Sequence, residues 1–211
     1  VGSLYRDVRM TTRFHEDNVN DAIGSTMHES GHGIYEQGLL FEHVGTQMGQ
    51  AVSLGIHESQ SRMWENQVGR SEAFWKWCYP KLSEYFGDAT SSLSFDDVYG
   101  GANIVRPDFI RVEADEATYN MHIMIRFELE RLIMSGDLAV ADIPDAWNQR
   151  YKEYLGIEVP SDAKGCLQDV HWSMASMGYF PTYTLGNLYC AQFFEKAMEE
   201  IPDMYEQFET G

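Results

Sequence analysis

Two histidines four residues apart, His28 and His32, constrain the fold of this 211-residue chain more than any other feature. They lie within a helical pattern that runs from about Asp17 to Gln37 and ends at Gly38. Residues at i and i+4 share one face of a helix, about 5–6 Å apart at Cβ, so both imidazoles can bind one cation. We therefore predict a helix that presents two metal ligands.

A third ligand is needed for a catalytic zinc site, which takes three protein ligands and leaves a position for water. Glu58 follows the glycine-rich, irregular stretch Gly38–Gly55 and lies on a second predicted helix, which runs from about Gly55 to Trp77. Two antiparallel helices can face Glu58 towards the histidines, and no cysteine or further histidine stands at a suitable spacing. The favoured ligands are therefore the two histidines and Glu58.

Glu29 completes a His-Glu-x-x-His motif. Its carboxylate would project beside the metal, where it can accept a proton from metal-bound water. The alternative interpretation is that His28 and His32 are ordinary helix histidines, because such a motif arises by chance in roughly two chains of a hundred. Glu58 could likewise be a solvated helix carboxylate, as most are.

Charge and cysteine content exclude several classes of protein. The chain has 33 acidic against 15 basic side chains, a net charge of −18 that argues against nucleic acid and anionic membranes as partners. No apolar run is long enough to span a bilayer. Cys78, Cys166 and Cys190 are widely spaced and odd in number, which argues against a disulfide framework. We expect a cytoplasmic protein.

Helical patterns dominate the rest of the chain. They cover Glu113–Met134, a segment opened by Pro144 and closed by Gly156, and Leu185–Glu200. An alternation over Asp7–Phe14 predicts a short strand. We therefore predict a mainly α fold with at most a small sheet near the N-terminus. The apolar stripe predicted for the strongest helix consists of Ala117, Met121, Met124, Ile125, Leu132 and Ile133.

Six short motifs follow one another along the chain. They are Asp7-Val-Arg9-Met-Thr11, His28-Glu29-Ser-Gly-His32, His57-Glu58-Ser59-Gln60, Ile110-Arg111-Val-Glu-Ala114-Asp115, Gly165-Cys-Leu-Gln168-Asp169-Val-His171-Trp172 and Gly178-Tyr-Phe-Pro-Thr-Tyr183-Thr-Leu-Gly-Asn187. In these motifs the chain resembles the carboxypeptidase Taq family of zinc carboxypeptidases over nearly its whole length.

The resemblance implies an enzyme that removes single residues from the C-termini of peptides, with a helical, zincin-like fold and a homodimeric assembly. It implies Zn²⁺ as the cofactor, with Co²⁺ possible, and it makes residues 1–211 one catalytic region at the C-terminal end of a longer carboxypeptidase. The metal ligands would be His28, His32 and Glu58, and Glu29 would act as general base and then general acid.

Arg111 is the residue that we expect to bind the terminal carboxylate of the substrate, since a guanidinium matches a carboxylate in shape. Arg9 is the next candidate for this role. The alternative for Arg111 is a structural ion pair with Asp115 or Glu116, because arginines in such motifs often brace the walls of a site.

His171 and Tyr183 are similar to the donors that stabilise the oxyanion in related helical zinc peptidases. For Tyr183 the alternative is a packed core aromatic near Phe180 and Pro181. His57 would orient a metal ligand from outside the metal's own shell.

A different class of function remains open at this point. The chain could be a catalytically silent fragment that keeps a structural metal site and serves in oligomerisation. The presence of Glu29 argues against that hypothesis, because a structural site needs no base.

Overall fold

The computed structural model describes residues 2–4 and 7–211, and the fold is mainly α, as predicted. The α-helices of the described residues are α1 (Val19–Gln37), α2 (Leu54–Arg62), α3 (Glu72–Phe86), α4 (Phe95–Ala102), α5 (Glu116–Ser135), α6 (Ile143–Leu155), α7 (Pro181–Glu200) and α8 (Met204–Thr210).

A two-stranded antiparallel sheet lies near the N-terminus, where β1 (Gly2–Leu4) pairs with β2 (Asp7–Arg9). The strand predicted over Asp7–Phe14 therefore ends early, at Arg9. Asp7 and Arg9 do share a face, and the two side chains hydrogen bond to each other at 2.8 and 2.9 Å.

The first predicted helix agrees with α1 at both ends. Asn18 is its N-cap, and the Oδ1 of Asn18 accepts a hydrogen bond from the Asp21 amide at 3.1 Å. Gly38 follows the last turn and donates its amide to carbonyls of that turn. The stretch between α1 and α2 contains only two short 3₁₀ turns, Phe41–His43 and Gln47–Gly49.

The second helix is shorter than predicted. After α2 the backbone widens into a π-helical turn, Met63–Val68, and α3 then begins as a separate helix. A continuous helix to Trp77 is wrong because the Ser71 hydroxyl accepts the Phe74 amide at 3.2 Å and so caps a new helix.

The helix predicted over Glu113–Met134 corresponds to α5. It begins at Glu116 rather than Glu113, because Asp115 is its N-cap and Arg111–Glu113 forms a 3₁₀ turn. The predicted apolar stripe is wrong in part, since Met124 is exposed and Ala117 faces solvent. The face that is buried includes polar side chains, and it consists of Tyr119, His122, Ile123, Ile125, Arg126, Leu129 and Glu130.

The helix predicted between Pro144 and Gly156 is α6, and Gly156 ends it in the left-handed conformation. The helix predicted over Leu185–Glu200 is α7, which starts one turn earlier, at Pro181. Two short helices were not predicted, α4 and α8. The first of them carries a capping box between Ser94 and Asp97, a sequence signal for a helix start.

The chain divides into two compact units. The first comprises Val1–Asn103 and Leu185–Gly211, and the second Ile104–Thr184. A core around Trp75, Cys78 and Leu82 fills part of the first unit. Within the described residues, no helix has the length and apolar character needed to cross a membrane.

Candidate metal centre

Helices α1 and α2 of the first unit bring together the three predicted metal ligands. One donor atom from each of His28, His32 and Glu58 lies within 4.8 Å of the others. The His28 Nε2 is 3.9 Å from Glu58 Oε1, and the His32 Nε2 is 3.5 Å from Glu58 Oε2.

This donor set suits a divalent transition metal. Nitrogen and oxygen ligands of tetrahedral zinc lie about 2.0–2.2 Å from the ion and hence roughly 3.3 Å from one another. The distance of 3.5 Å from His32 to Glu58 is close to that value, whereas the distance of 3.9 Å from His28, to the other oxygen of Glu58, is longer. Two imidazoles and one carboxylate also form a set that catalytic zinc sites use.

Glycines allow the helices to approach the ligands closely. A Cβ at Gly31 of α1 would lie 2.6 Å from the Cα of Ser61 on α2, and one at Gly186 of α7 would lie 2.8 Å from the Cγ of Glu58. Any side chain at Gly31 would meet backbone, which cannot turn aside. The position of Glu58 relative to the histidines therefore depends on these two glycines.

Replacing Gly31 by alanine should weaken metal binding, because α1 and α2 must separate and carry their ligands apart. Overpacking of this kind costs about 1–3 kcal/mol of stability, offset in part by the better helix propensity of alanine. Gly24→Ala is the matched control, because a Cβ at Gly24 of the same helix meets nothing within 4 Å. Zinc affinity and urea unfolding of both variants test this, and equal zinc affinities would contradict it.

The Nδ1 atom of His28, which faces away from Glu58, has a carboxylate partner in Glu65. The His28 Nδ1 is 2.8 Å from Glu65 Oε2, so Nδ1 carries the proton and Nε2 is left to bind a cation. Burial by itself would lower the pKa of His28, but the hydrogen bond to Glu65 and the charge of Glu58 raise it above its ordinary value.

His32 contacts a second histidine, His57, and this contact is one that the role expected for His57 requires. The Nδ1 atoms of His32 and His57 are 2.6 Å apart, and the His57 Nε2 is 2.8 Å from Glu36 Oε1. A proton on the His32 Nδ1 is then donated to His57, which in turn donates to Glu36. This direction leaves the Nε2 of His32 free for a cation.

The carboxylates of the centre differ in their surroundings. Glu58 is buried, and burial alone would raise its pKa, but His32, His28 and Arg62 hold the pKa of Glu58 below its ordinary value. Glu29 is partly buried on α1, next to His28 in the chain. Glu58 is therefore ionised, and its negative charge is available to bind a cation.

Arg111 of the second unit is a buried residue in an ion pair. Its Nε and Nη2 lie 2.9 and 2.8 Å from Asp169 Oδ1, and its Nη1 donates to the Tyr119 hydroxyl at 2.9 Å. Arg126 approaches the other oxygen of Asp169, with its Nη2 at 2.6 Å. The ion pair weighed for Arg111 thus exists, but its partner is Asp169 and not Asp115 or Glu116.

His171 and Tyr183 contact each other in the same unit. The His171 Nε2 is 3.0 Å from the Tyr183 hydroxyl, and the Arg111 guanidinium lies 4.7 Å from the Tyr183 ring centre. Burial and the charge of Arg111 lower the pKa of His171, which favours its neutral form. The structure therefore places three of the predicted site residues, Arg111, His171 and Tyr183, in one cluster.

Arg9 has a different environment. Its side chain is 80% exposed and pairs with Asp7. The structure therefore places Arg9 on an exposed strand, beside the carboxylate of Asp7.

Sequence reasoning missed several residues that contact the predicted ones. Glu65 and Glu36 lie behind the metal ligands, and Asp169 and Arg126 lie against Arg111. Two of them had a usable signal. Asp169 stands in the fifth motif, between Gln168 and His171, and Glu65 follows Glu58 by seven residues, about two helical turns.

His122 is a further buried histidine of the second unit. Its Nδ1 is 3.0 Å from the Tyr151 hydroxyl, and its Nε2 has no hydrogen-bond partner among the described residues. Burial, with the charges of nearby arginines, lowers the pKa of His122 to about 4. The charged groups that act on His122 are Arg126, Arg111, Asp108 and Asp169.

This environment predicts a loss of stability in acid. The folded-state pKa lies below the ordinary 6.5, so protonation favours the unfolded chain. The stabilisation is complete above about pH 6.5 and falls by on the order of 3 kcal/mol as the pH drops towards 4. Urea unfolding at a series of pH values gives the free energy of unfolding against pH. Below about pH 6.5 this free energy should fall less steeply for His122→Gln than for the wild type. Equal slopes in the two proteins would contradict this account of His122.

Comparisons with known proteins agree with the geometry. Residues 1–211 match the model of the family described as carboxypeptidase Taq (M32) metallopeptidase. Thermostable carboxypeptidase 1 of Thermus thermophilus is 52% identical over 206 residues, which are 97% of this chain and 40% of that protein. Carboxypeptidase 1 of Bacillus subtilis is 46% identical over 205 residues, 97% of this chain and 41% of that protein.

A solved structure of Pyrococcus furiosus carboxypeptidase superposes with a TM-score of 0.93 at 47% identity, covering 97% of this chain and 41% of the other. The chain thus spans about 40% of the length of the curated relatives that it matches.

Proposed function

We propose, from the premise that the chain belongs to the carboxypeptidase Taq (M32) family of metallopeptidases, that residues 1–211 carry the zinc-dependent catalytic centre of a carboxypeptidase. The reaction is hydrolysis of the last peptide bond, which releases single residues from the C-terminus of a peptide. The observation that carries the proposal is the convergence of His28, His32 and Glu58 within 4.8 Å.

His28, His32 and Glu58 would hold the metal, with Zn²⁺ as the proposed ion and Co²⁺ as a possible substitute. A bound divalent metal lowers the pKa of water towards 7 and polarises a carbonyl group. The hydrogen bonds from Nδ1 of each histidine support this role, because they fix the tautomer that leaves Nε2 available.

Glu29 supplies the proton transfers. Its carboxylate takes a proton from the attacking water as the new C–O bond forms at the scissile carbonyl. When the C–N bond breaks, Glu29 gives that proton to the departing amine, so it returns to its starting state. The position of Glu29, beside a ligand on α1, supports this assignment.

Arg111 binds the terminal carboxylate of the peptide in this proposal. Two guanidinium groups, Arg111 and Arg126, pair with the single carboxylate of Asp169, so these three side chains together carry one net positive charge. An anion is the natural partner of such a charge. His171 and Tyr183 would donate hydrogen bonds to the oxyanion, as the family resemblance implies. Their polar atoms lie 3.0 Å apart, so the two groups are close enough to reach one oxygen atom once that atom replaces their mutual hydrogen bond.

The two arginines give a matched test of substrate binding, because both pair with Asp169. Arg111→Ala in the full-length enzyme should reduce cleavage of free-acid peptides by at least about 10-fold and should barely change the slow cleavage of amidated ones. Arg126→Ala should lower both activities in proportion, because Arg126 is wholly buried and acts only as a brace.

Both variants should lose stability, because each removes buried contacts with Asp169, although the other arginine still pairs with that carboxylate. Melting temperatures therefore serve as the common reference. If Arg111→Ala lowers the two activities equally, the carboxylate-binding role passes to another residue, and Arg9 is the next to test.

Metal analysis combined with C-terminal ladder sequencing of a test peptide examines the proposed function as a whole. We expect about one zinc ion per chain and products that differ by single C-terminal residues. Internal fragments would indicate an endopeptidase instead. The proposed homodimer is tested on the same sample by light scattering, where a monomer mass would overturn that part.

A further inference from the structure

A chain of polar contacts leads away from the metal centre through Glu65. The His28 Nδ1 and the Arg62 Nη1 both approach Glu65 Oε2, at 2.8 and 2.7 Å. The Arg62 Nε donates to Asn187 Oδ1 on α7 at 2.9 Å. The contacts therefore run from His28 through Glu65 and Arg62 to α7, all within the first unit.

These charges are largely removed from water. The side chains of Arg62 and Glu65 are 7% and 18% exposed. Because a buried carboxylate is costly without partners, the pair with Arg62 keeps Glu65 ionised and in place. An ionised oxygen at 2.8 Å then accepts the His28 proton and fixes the ring, whose Nε2 lies towards Glu58.

The two predicted histidine ligands are supported differently. Glu65, a carboxylate, touches His28 directly, whereas His32 reaches a carboxylate, Glu36, only through His57. A negative charge next to an imidazole makes that ring a stronger donor to a metal. Removal of the Glu65 charge should therefore affect the metal itself and not only the fold.

Helix α7 also contacts the metal ligands, through Gly186, the residue before Asn187. Gly186 packs against the side chain of Glu58, and Asn187 binds Arg62. Consecutive positions of one helix thus contact a metal ligand and the outer contact chain. If α7 shifts along its axis, both supports are lost together.

We propose that Glu65 is the positioning residue of His28, and that Asn187 on α7, acting through Arg62, sets the metal affinity of the α1–α2 ligands. This inference rests on the proposed metal site. Its consequence is that zinc binding and the seating of α7 stabilise each other, as any ligand that binds one conformation better must do.

Zinc affinity of the 211-residue chain, measured by competition with a chromogenic chelator, tests the proposal. Glu65→Gln keeps an oxygen acceptor but removes the charge and should weaken Zn²⁺ binding by about 10-fold, and Glu65→Ala by up to about 100-fold. Asn187→Ala leaves every charge paired, so the chain should stay folded while its affinity falls a few-fold.

Glu128→Gln is the matched control, because Glu128 also accepts from an arginine, Arg150, at 2.8 Å but lies in the second unit. It should bind zinc as the wild type does. Cobalt spectra add a readout that a purely structural role would not change, since the visible bands of bound Co²⁺ should shift in Glu65→Gln and return in Glu65→Asp. Melting temperatures of the metal-free variants separate any loss of fold from loss of affinity.

The outcomes separate the two proposals. Wild-type zinc affinity in Glu65→Gln and Glu65→Ala overturns the role of Glu65, and wild-type affinity in Asn187→Ala overturns the role of Asn187, while the metal site stands in either case. Absence of zinc binding in the wild-type chain overturns the metal site and the positioning role with it.

Discussion

Glutamine in place of Glu29 is expected to reduce peptide hydrolysis by at least about 10²–10⁴-fold, the usual contribution of a positioned general base. Glutamine has nearly the size and shape of glutamate but cannot accept a proton from water. Zinc content should be unchanged, because Glu29 is not among the three ligands that converge. The measurement is kcat/KM of the full-length protein on a free-acid peptide, together with its zinc content.

The control for this variant is Glu42→Gln. Glu42 lies on an exposed 3₁₀ turn and is 73% exposed next to His43, so its loss should change neither quantity. Turnover retained in Glu29→Gln would remove Glu29 from the mechanism. Loss of zinc in that variant would instead make Glu29 part of the metal shell.

Removal of Glu58 should have the largest effect on the metal. Glu58→Ala leaves only the two histidines of α1, and zinc affinity should fall by more than the roughly 100-fold that loss of an outer partner costs. Activity should disappear with the metal. The alanine also leaves a space against Gly186, which will cost some stability in the metal-free chain.

Glu58→Gln helps to separate these effects. It fills the same volume, so a comparable loss of zinc in the two variants assigns the effect to the carboxylate. If Glu58→Ala retains wild-type zinc affinity, the third ligand lies elsewhere and the proposed ligand set fails.

The sequence predicts the part of the site that depends on helix periodicity. The i, i+4 spacing of His28 and His32, with the predicted end at Gly38, places α1 correctly. The approach of Glu58 follows from Gly31, where the absence of a side chain admits α2. Ordered motifs also identify the family, which the comparisons confirm.

The buried face of α5 could not be predicted from apolar residues alone. His122, Arg126 and Glu130 are buried there because each has polar partners or charged neighbours from outside the helix, such as Asp169 for Arg126 and Trp172 for Glu130. A pattern that counts only apolar side chains assigns such residues to the surface.

Contacts between segments that are distant in the chain are the second feature that the sequence could not predict. Asp169 follows Arg111 by 58 residues and Asn187 follows Arg62 by 125, so no local spacing relates the members of either pair. The pairing of Arg111 with Asp169 in place of a neighbour in the chain illustrates this. Only the folded backbone brings such groups within hydrogen-bond distance.

X-ray absorption at the zinc edge, recorded on the purified chain with one equivalent of zinc, tests the central claim most directly. A centre made by His28, His32 and Glu58 predicts only nitrogen and oxygen neighbours, at about 2.0–2.2 Å, with outer-shell scattering from two imidazole rings. Sulfur scattering at about 2.3 Å, or a spectrum without imidazole rings, would contradict it.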